Sequence, residues 1–186
     1  SGIDIVSTAN NHALDAEGVG LVETKQALQQ AGIGSVGTGV DLNEARRPYF
    51  VQKNGIRIAF LAYTQFSNGW LNDFATNSRS GVVPLDPFVI KEDIKRVRKD
   101  ADFVVLSFHW GVENSQQVDP DQRSFARDII DAGADMIIGH HPHVPRGIEV
   151  YRGKVILYSL GNLIFGHQHD YWMDNYLARI TFSKQA

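Results

Sequence analysis

The stretch Asp102-Phe103-Val104-Val105-Leu106-Ser107-Phe108-His109 decides the fold class of this 186-residue chain. Its Phe-Val-Val-Leu run lacks any alternation of polar and apolar residues, which is typical of a strand buried on both faces. A helix is predicted directly before it at 87–99, because Asp86-Pro87 supplies an N-cap and a first-turn proline. A buried strand that follows a helix in this way indicates an α/β protein.

Strands and helices also alternate on either side of this stretch. A buried strand at 3–8 precedes a predicted helix at 18–31, which Gly32 ends. The predicted inner side of this helix carries Leu21, Val22, Leu28 and Ala31. A further helix begins at Asp119-Pro120, and the strand at 136–138 follows it.

Hairpins interrupt this alternation. Asn54-Gly55 and Arg152-Gly153 each separate two apolar runs and predict tight turns between antiparallel strands, and a last strand is predicted near 176–182. We therefore expect a single α/β domain over 1–186 with mixed sheets rather than a purely parallel sheet.

The composition excludes several classes of protein. A net charge of -3 does not favour binding to nucleic acid, and no apolar run approaches the roughly 20 residues that span a bilayer. The chain has no cysteine, so a metal would have to be bound by His, Asn, Asp or Glu.

Polar groups follow four of the predicted strands at their carboxyl ends. They are Asn10-Asn11-His12, His109, the segment 140–143 and Leu160-Gly161-Asn162. Ligands of open α/β sheets bind at these ends, so residues far apart in the sequence are expected to meet at one edge.

Imidazole nitrogens together with an amide oxygen suit a divalent transition metal. His141 and His143 are separated by one residue, so both can approach a metal from one loop, which favours them over His140. Pro142 between them restricts the backbone. His109 could instead be a hydrogen-bonded loop residue, and Asn10-Asn11 an ordinary turn.

Two other polar segments are less informative. His167-Gln168-His169 has the same one-residue spacing but follows no buried strand directly, and we expect it to be exposed to solvent. The loop at 64–81 is long for a compact domain. Its Trp70 and Arg79 could contact a substrate, although loop packing and solvation explain them better.

Four motifs in this order resemble the CapA family of bacterial capsule, or poly-γ-glutamate, synthesis proteins, within the calcineurin-like metallophosphoesterase superfamily. They are Ser7-Thr8-Ala9-Asn10-Asn11-His12-Ala13-Leu14-Asp15, Ser107-Phe108-His109-Trp110-Gly111-Val112-Glu113, the segment 137–144 and Tyr158-Ser159-Leu160-Gly161-Asn162-Leu163-Ile164-Phe165. The resemblance covers nearly the whole chain. It implies a four-layer sandwich of two mixed sheets flanked by helices, with a two-metal site at the strand ends.

The resemblance also implies roles for individual residues. The metal ligands would be Asn11, His109, His141 and His143. His12 would be the catalytic residue that protonates the leaving oxygen, since histidine commonly titrates near neutrality. Glu113 would orient an imidazole or contact the substrate, and Asn162 would hydrogen-bond across the site; a solvated Glu113 and a turn at Asn162 are the alternatives.

The chain departs from the superfamily pattern at its start. The superfamily's first metal-binding motifs, including the bridging Asp, normally precede the Asn-His motif, so we expect the chain to be the C-terminal portion of the domain, with residues missing upstream. The full-length protein would bind two divalent transition metals, Mn, Fe or Zn, held about 3.5 to 4 Å apart. The present chain would bind one or none.

Two functions follow from the resemblance. One is a metallophosphoesterase-like hydrolase of capsule or poly-γ-glutamate synthesis, in which metal-activated water attacks a phosphoester or related bond. The other is a non-catalytic cell-surface subunit that binds poly-γ-glutamate or other capsule-synthesis proteins. Either protein would lie outside the cytoplasm, with membrane attachment only through an N-terminal segment absent from this chain, and without nucleic-acid partners.

Overall fold

The computed structural model describes residues 2–67, 73–164 and 175–184. Trp70, His167 and His169, considered above, lie outside these ranges. The strands are β1 (Ile5–Ser7), β2 (Gly34–Val36), β3 (Thr38–Gly39), β4 (Tyr49–Lys53), β5 (Ile56–Thr64), β6 (Gly81–Val82), β7 (Phe103–His109), β8 (Met136–His140), β9 (Ile148–Tyr151) and β10 (Lys154–Leu157). The helices are α1 (Glu17–Gln30), α2 (Leu42–Ala45), α3 (Pro87–Arg98) and α4 (Pro120–Asp131).

A six-stranded mixed sheet organises the described residues, in the order β4-β5-β7-β8-β10-β9. Its four inner strands are parallel, and β4 and β9 pair antiparallel at the two edges. The strands β1 and β2 form a separate parallel pair, and β3 pairs antiparallel with β6. The predicted α/β class with mixed sheets is confirmed.

Local signals in the sequence explain where these elements begin and end. The Asp86 carboxylate accepts hydrogen bonds from the backbone N–H groups of Phe88 and Val89, which caps α3. The turn residues Asn54 and Arg152 adopt positive φ angles of 52° and 50°, each followed by a glycine with positive φ. This is the geometry of a type I′ hairpin, so both predicted hairpins are confirmed.

The core lies mainly on the face of the sheet that carries α3 and α4. Alternate side chains of β7, Val104, Leu106 and Phe108, pack there with residues of both helices. Val105 points to the opposite face and packs with Met136 and Leu157. Because strand side chains alternate, Ser107 and His109 lie on the same face as Val105.

Two sequence predictions need correction. Residues 175–184 form no strand: Phe182 lies on the face of the six-stranded sheet, where its ring packs against Phe103, instead of pairing along an edge. Helix α1 exists as predicted, but Ala31 is exposed and only Leu21 of the helix is buried. Helical spacing predicted the helix correctly, whereas burial depends on which elements pack against it.

Short elements account for most of what periodicity did not predict. Strands β3 and β6 contribute two residues each and α2 four, too few to produce a periodic pattern. In the described ranges, no helix is both long and apolar enough to span a membrane.

Candidate functional site

The centre of the candidate site is a contact between two histidines on adjacent strands. His109 ends β7 and pairs in register with His140 at the end of β8. Their Nδ1 atoms lie 2.9 Å apart. The other ring nitrogen of His140, Nε2, lies 3.0 Å from the hydroxyl oxygen of Ser107, two residues before His109 on the same face of β7.

The second ring nitrogen of His109 faces a residue from the start of the chain. Its Nε2 atom lies 2.7 Å from Oδ1 of Asn11, which follows β1. This is a hydrogen-bond distance; two ligands of a tetrahedral metal ion bound at about 2.1 Å lie roughly 3.4 Å apart, so the two atoms would separate slightly to bind one ion. The structure therefore brings together two of the predicted ligands.

His141 and His143 extend the cluster along the loop after β8. The rings of His109 and His141 have centroids 4.5 Å apart, and those of His141 and His143 are 6.2 Å apart. Both residues have positive φ angles, 100° and 62°. Such backbone costs about 1 to 3 kcal/mol in a residue with a side chain and concentrates at functional sites.

The predicted neighbours of this pair are also in place. Oδ1 of Asn162, in the segment after β10, lies 2.9 Å from Nδ1 of His143. Oε1 of Glu113 lies 3.9 Å from Nε2 of His141. Glu113 is about half exposed, so its side chain reaches the cluster from the solvent side.

His12 lies at the exposed margin of the site. Its Nδ1 atom lies 2.7 Å from Oδ2 of Asp15, three residues later, and both side chains are more than half exposed. Nδ1 thus faces a carboxylate, an arrangement that orients an imidazole and leaves Nε2 as the nitrogen away from Asp15. Asp15 itself lies in a turn.

Burial and neighbouring histidines make the cluster hard to protonate. Burial first, and then the positive charges of the surrounding histidines, lower the pKa of His109 to about 2. Burial and His141 lower the pKa of His140 to about 4. Burial also lowers the pKa of His141, against the opposing effect of Glu113. These imidazoles are neutral at neutral pH, as metal ligands must be.

The geometry can be tested for its fit to a divalent metal. Nδ1 of His141 is buried and has no hydrogen-bond partner within the described part of the chain, so a nitrogen lone pair there lacks an interaction. Asn11 and His109 already place an amide oxygen and an imidazole nitrogen together. These donors are of the chemical kinds that a transition-metal ion binds, an amide oxygen and imidazole nitrogens.

The same residues do not form a complete metal centre. Among residues 2–67, 73–164 and 175–184, no three His, Asp, Glu or Cys side chains are grouped so that they could hold a metal ion. The ring nitrogens of His109 and His140 face protein partners, and Nδ1 of His143 faces Asn162. The metal roles of Asn11, His109, His141 and His143 remain predictions.

A cavity of about 580 Å³ is lined by Phe66 and by residues of the segment after β7. The ring of Phe66 also lies against that of His141, tilted by 39° with the centroids 4.5 Å apart, and so separates the cavity from this imidazole. The guanidinium of Arg146 also lines the cavity and donates hydrogen bonds to the carbonyl oxygens of Val112 and Ser115, on either side of Glu113. These contacts fix the loop that carries Glu113.

Sequence reasoning ranked His140 below His141 and His143 and did not single out Ser107, Arg146 or Phe66. His140, Ser107 and Arg146 make the buried hydrogen bonds of this arrangement, and Phe66 covers His141. The role of Ser107 could have been signalled only by its spacing from His109, which places both side chains on one face of the strand. Arg79, considered as a substrate contact, donates a hydrogen bond to the carbonyl oxygen of Phe74 within its own loop.

Comparison with known proteins identifies the family. Residues 1–167 match the family described as bacterial capsule synthesis protein PGA_cap. The chain belongs to this family. It is 39% identical over 184 residues to the PGA biosynthesis protein CapA of Bacillus subtilis, covering 98% of this chain and 48% of that protein. The PGA_cap chain is also 35% identical over 170 residues to the capsule biosynthesis protein CapA of Bacillus anthracis, covering 89% and 41%.

The PGA_cap chain thus spans less than half the length of these two relatives. Its fold is similar to that of a Staphylococcus aureus protein assigned as a 5′-nucleotidase, with a TM-score of 0.57, 13% identity, and coverage of 85% of this chain and 32% of that chain. This likeness agrees with the calcineurin-like fold that the motifs implied.

Proposed function

We propose that this PGA_cap protein is a metal-dependent hydrolase of capsule polymer synthesis, acting on a phosphoester or a related bond. The observation that carries the proposal is the meeting of Asn11 and His109 at the sheet edge, 2.7 Å apart, beside His141. The relatives are named for capsule or PGA biosynthesis, which supports the biological context.

Asn11, His109 and His141 would hold one divalent ion, and His143 would hold a second in the full-length protein. When bound, such ions polarise a phosphoryl oxygen and lower the pKa of water toward neutrality. Burial supports this role for His109 and His141, because it keeps both rings neutral and available as ligands at neutral pH.

The other side chains would handle the substrate. His12, oriented through Nδ1 by Asp15, would donate a proton from Nε2 to the leaving oxygen. Phe66 packs its ring against His141 and covers that side of the imidazole. Asn162 fixes the ring of His143, and Arg146 positions the loop that carries Glu113.

The test combines metal analysis with an assay of the full-length protein on a nitrophenyl phosphodiester, in the presence of Mn²⁺, Fe²⁺ or Zn²⁺. His141→Ala and His143→Ala should lower the bound metal, whereas His12→Ala should keep the metal and lose turnover. Exposed Asn43 on α2 provides a control, Asn43→Ala, which should change neither. Unchanged metal content in both loop variants would remove the proposed ligands.

A non-catalytic subunit is the second candidate. It is favoured by one observation: in the described part of the chain, no three side chains of metal-binding type are grouped for coordination. A protein of this kind would bind poly-γ-glutamate or other capsule-synthesis proteins. Full-length protein that binds soluble poly-γ-glutamate, yet neither retains metal nor hydrolyses the diester, would establish this role and exclude the hydrolase.

A further inference from the structure

We propose that His140 and Ser107 act as positioning residues that set the tautomer of His109 and thereby its affinity for a metal. This inference rests on the proposed function, because it assigns His109 as a ligand through Nε2. It concerns two residues of the chain that lie behind the proposed ligands and are not ligands themselves.

The hydrogen bonds behind His109 form a single line of contacts. Nδ1 of His109 lies 2.9 Å from Nδ1 of His140, and Nε2 of His140 lies 3.0 Å from Oγ of Ser107. The parallel register of β7 and β8 makes this possible, because it aligns His109 with His140. Side-chain alternation places Ser107 on the same face.

Each contact between two neutral imidazole nitrogens requires one proton and one lone pair. If Nε2 of His109 binds a metal through its lone pair, the proton of that ring must be on Nδ1. Nδ1 of His140 must then accept, and the proton of His140 must be on Nε2. The Ser107 hydroxyl oxygen accepts that proton as the last member of the line.

The opposite arrangement uses the same number of protons. His109 then donates from Nε2 to Oδ1 of Asn11, His140 donates from Nδ1 to Nδ1 of His109, and the Ser107 hydroxyl donates to Nε2 of His140. Each imidazole changes its tautomer and the serine hydroxyl turns; the number of protons on the three side chains stays the same, because one proton is taken up from solvent at Nε2 of His109 and one is released at Ser107. The hydroxyl of Ser107 can serve in both arrangements, because one oxygen atom can donate and accept.

A partner of this kind is expected for a metal-binding histidine. The ring nitrogen opposite the metal usually donates to a carboxylate, a carbonyl or water, and loss of that partner weakens binding about 10- to 100-fold. In this protein an imidazole backed by a serine takes that place. Ser107→Ala should therefore weaken Zn²⁺ binding about 10-fold, and His140→Phe, which keeps a ring but removes both nitrogens, should weaken it more.

The experiment measures Zn²⁺ affinity by competition with a chelator, using the full-length protein and its variants. Ser107→Thr retains the hydroxyl, so its Zn²⁺ affinity should lie within about threefold of that of the wild type. This difference is well below the about 10-fold loss expected when the hydrogen-bond partner of a ligand is removed. Ser7→Ala is the matched control: Ser7 also lies on a strand, and its buried hydroxyl has no hydrogen-bond partner within the described ranges. Wild-type affinity in both Ser107→Ala and folded His140→Phe would overturn the proposal.

A second measurement separates this proposal from the proposed function. Nitrogen-15 spectra of protein labelled in its histidine rings report which nitrogen of each ring carries the proton. With Zn²⁺ bound, His109 should be protonated at Nδ1 and His140 at Nε2, and any other pattern would overturn the inference. If the wild-type protein binds no metal, the proposed metal site fails, but the spectra still test the positioning role. Unchanged tautomers of His109 and His140 in the Ser107→Ala variant would contradict it.

Discussion

Oδ1 of Asn11 lies 2.7 Å from Nε2 of His109, although 98 residues separate them in the chain. The two atoms meet because β1 and β7 both deliver their carboxyl ends to one edge of the fold. The contact joins the Asn-His motif at the start of the chain to the cluster at the centre of the sheet, and the first prediction concerns it.

Asn11→Ala should weaken Zn²⁺ or Mn²⁺ binding at least about 10- to 100-fold. Loss of a residue that only hydrogen-bonds to a ligand has an effect of this size, and here a direct ligand is removed. Chelator competition measures the affinity. Asn43→Ala makes the same substitution on the exposed surface of α2 and should have no effect. Equal affinities for the two variants would show that Asn11 is not a ligand.

Asp15→Asn should lower kcat for a phosphodiester about 10- to 100-fold, while the amount of bound metal stays constant. This loss is a modest part of the rate enhancement that general acid–base catalysis supplies. The reason is that the amide cannot hold Nδ1 of His12 as the carboxylate does at 2.7 Å. The control is Asp128→Asn, which breaks an exposed ion pair with Lys91 between α3 and α4. If both variants turned over at the wild-type rate, the assignment of His12 as an oriented acid would be wrong.

Gly139→Ala should destabilise the fold by about 1 to 3 kcal/mol, because the core has no space for another carbon. A Cβ atom at position 139 would overlap the carbonyl oxygen of Tyr158 and Nε1 of Trp110, which are hydrogen-bonded to each other at 3.0 Å. Chemical denaturation gives the free energy of unfolding. Gly147→Ala, whose Cβ would meet no atom closer than 4.0 Å, should be nearly neutral, and comparable losses in the two variants would contradict the packing argument.

Asp135→Asn should reduce the free energy of unfolding at neutral pH by about 1 to 3 kcal/mol, since three hydrogen bonds to a charged acceptor are weakened. Burial would raise the pKa of Asp135, but hydrogen bonds from Lys154, Arg98 and the Val104 N–H outweigh it, and the net shift is downward. The folded pKa therefore lies below the unfolded one.

The downward shift of its pKa determines how the contribution of Asp135 to the free energy of unfolding depends on pH. The contribution is complete above the usual aspartate pKa, about 3.9, and is lost as the pH falls through the lower pKa of the folded state. Denaturation curves of wild type and Asp135→Asn should thus converge in acid. Asp100→Asn, at an exposed position, should follow wild type throughout, and a difference for Asp135→Asn that persisted unchanged at pH 2 would refute the linkage.

The sequence alone was sufficient for the class of fold, the longer elements and the two hairpins. The Asp86-Pro87 and Asp119-Pro120 signals predicted the starts of α3 and α4, and Asn54-Gly55 and Arg152-Gly153 predicted the two hairpins. These signals act within a few residues of each other, so they can be read without knowing the fold. The parallel strands then implied that polar residues after β7 and β8 would meet at one edge.

Tertiary structure alone decided which atoms meet there. The contact of His140 with both His109 and Ser107 depends on the register of β7 against β8, which no local pattern encodes. The positive φ of His141, its stacking on Phe66 and the position of Arg146 behind the Glu113 loop depend likewise on distant segments. Periodicity and capping specify elements because they are local, whereas the pairing of nitrogens across strands is set by long-range packing.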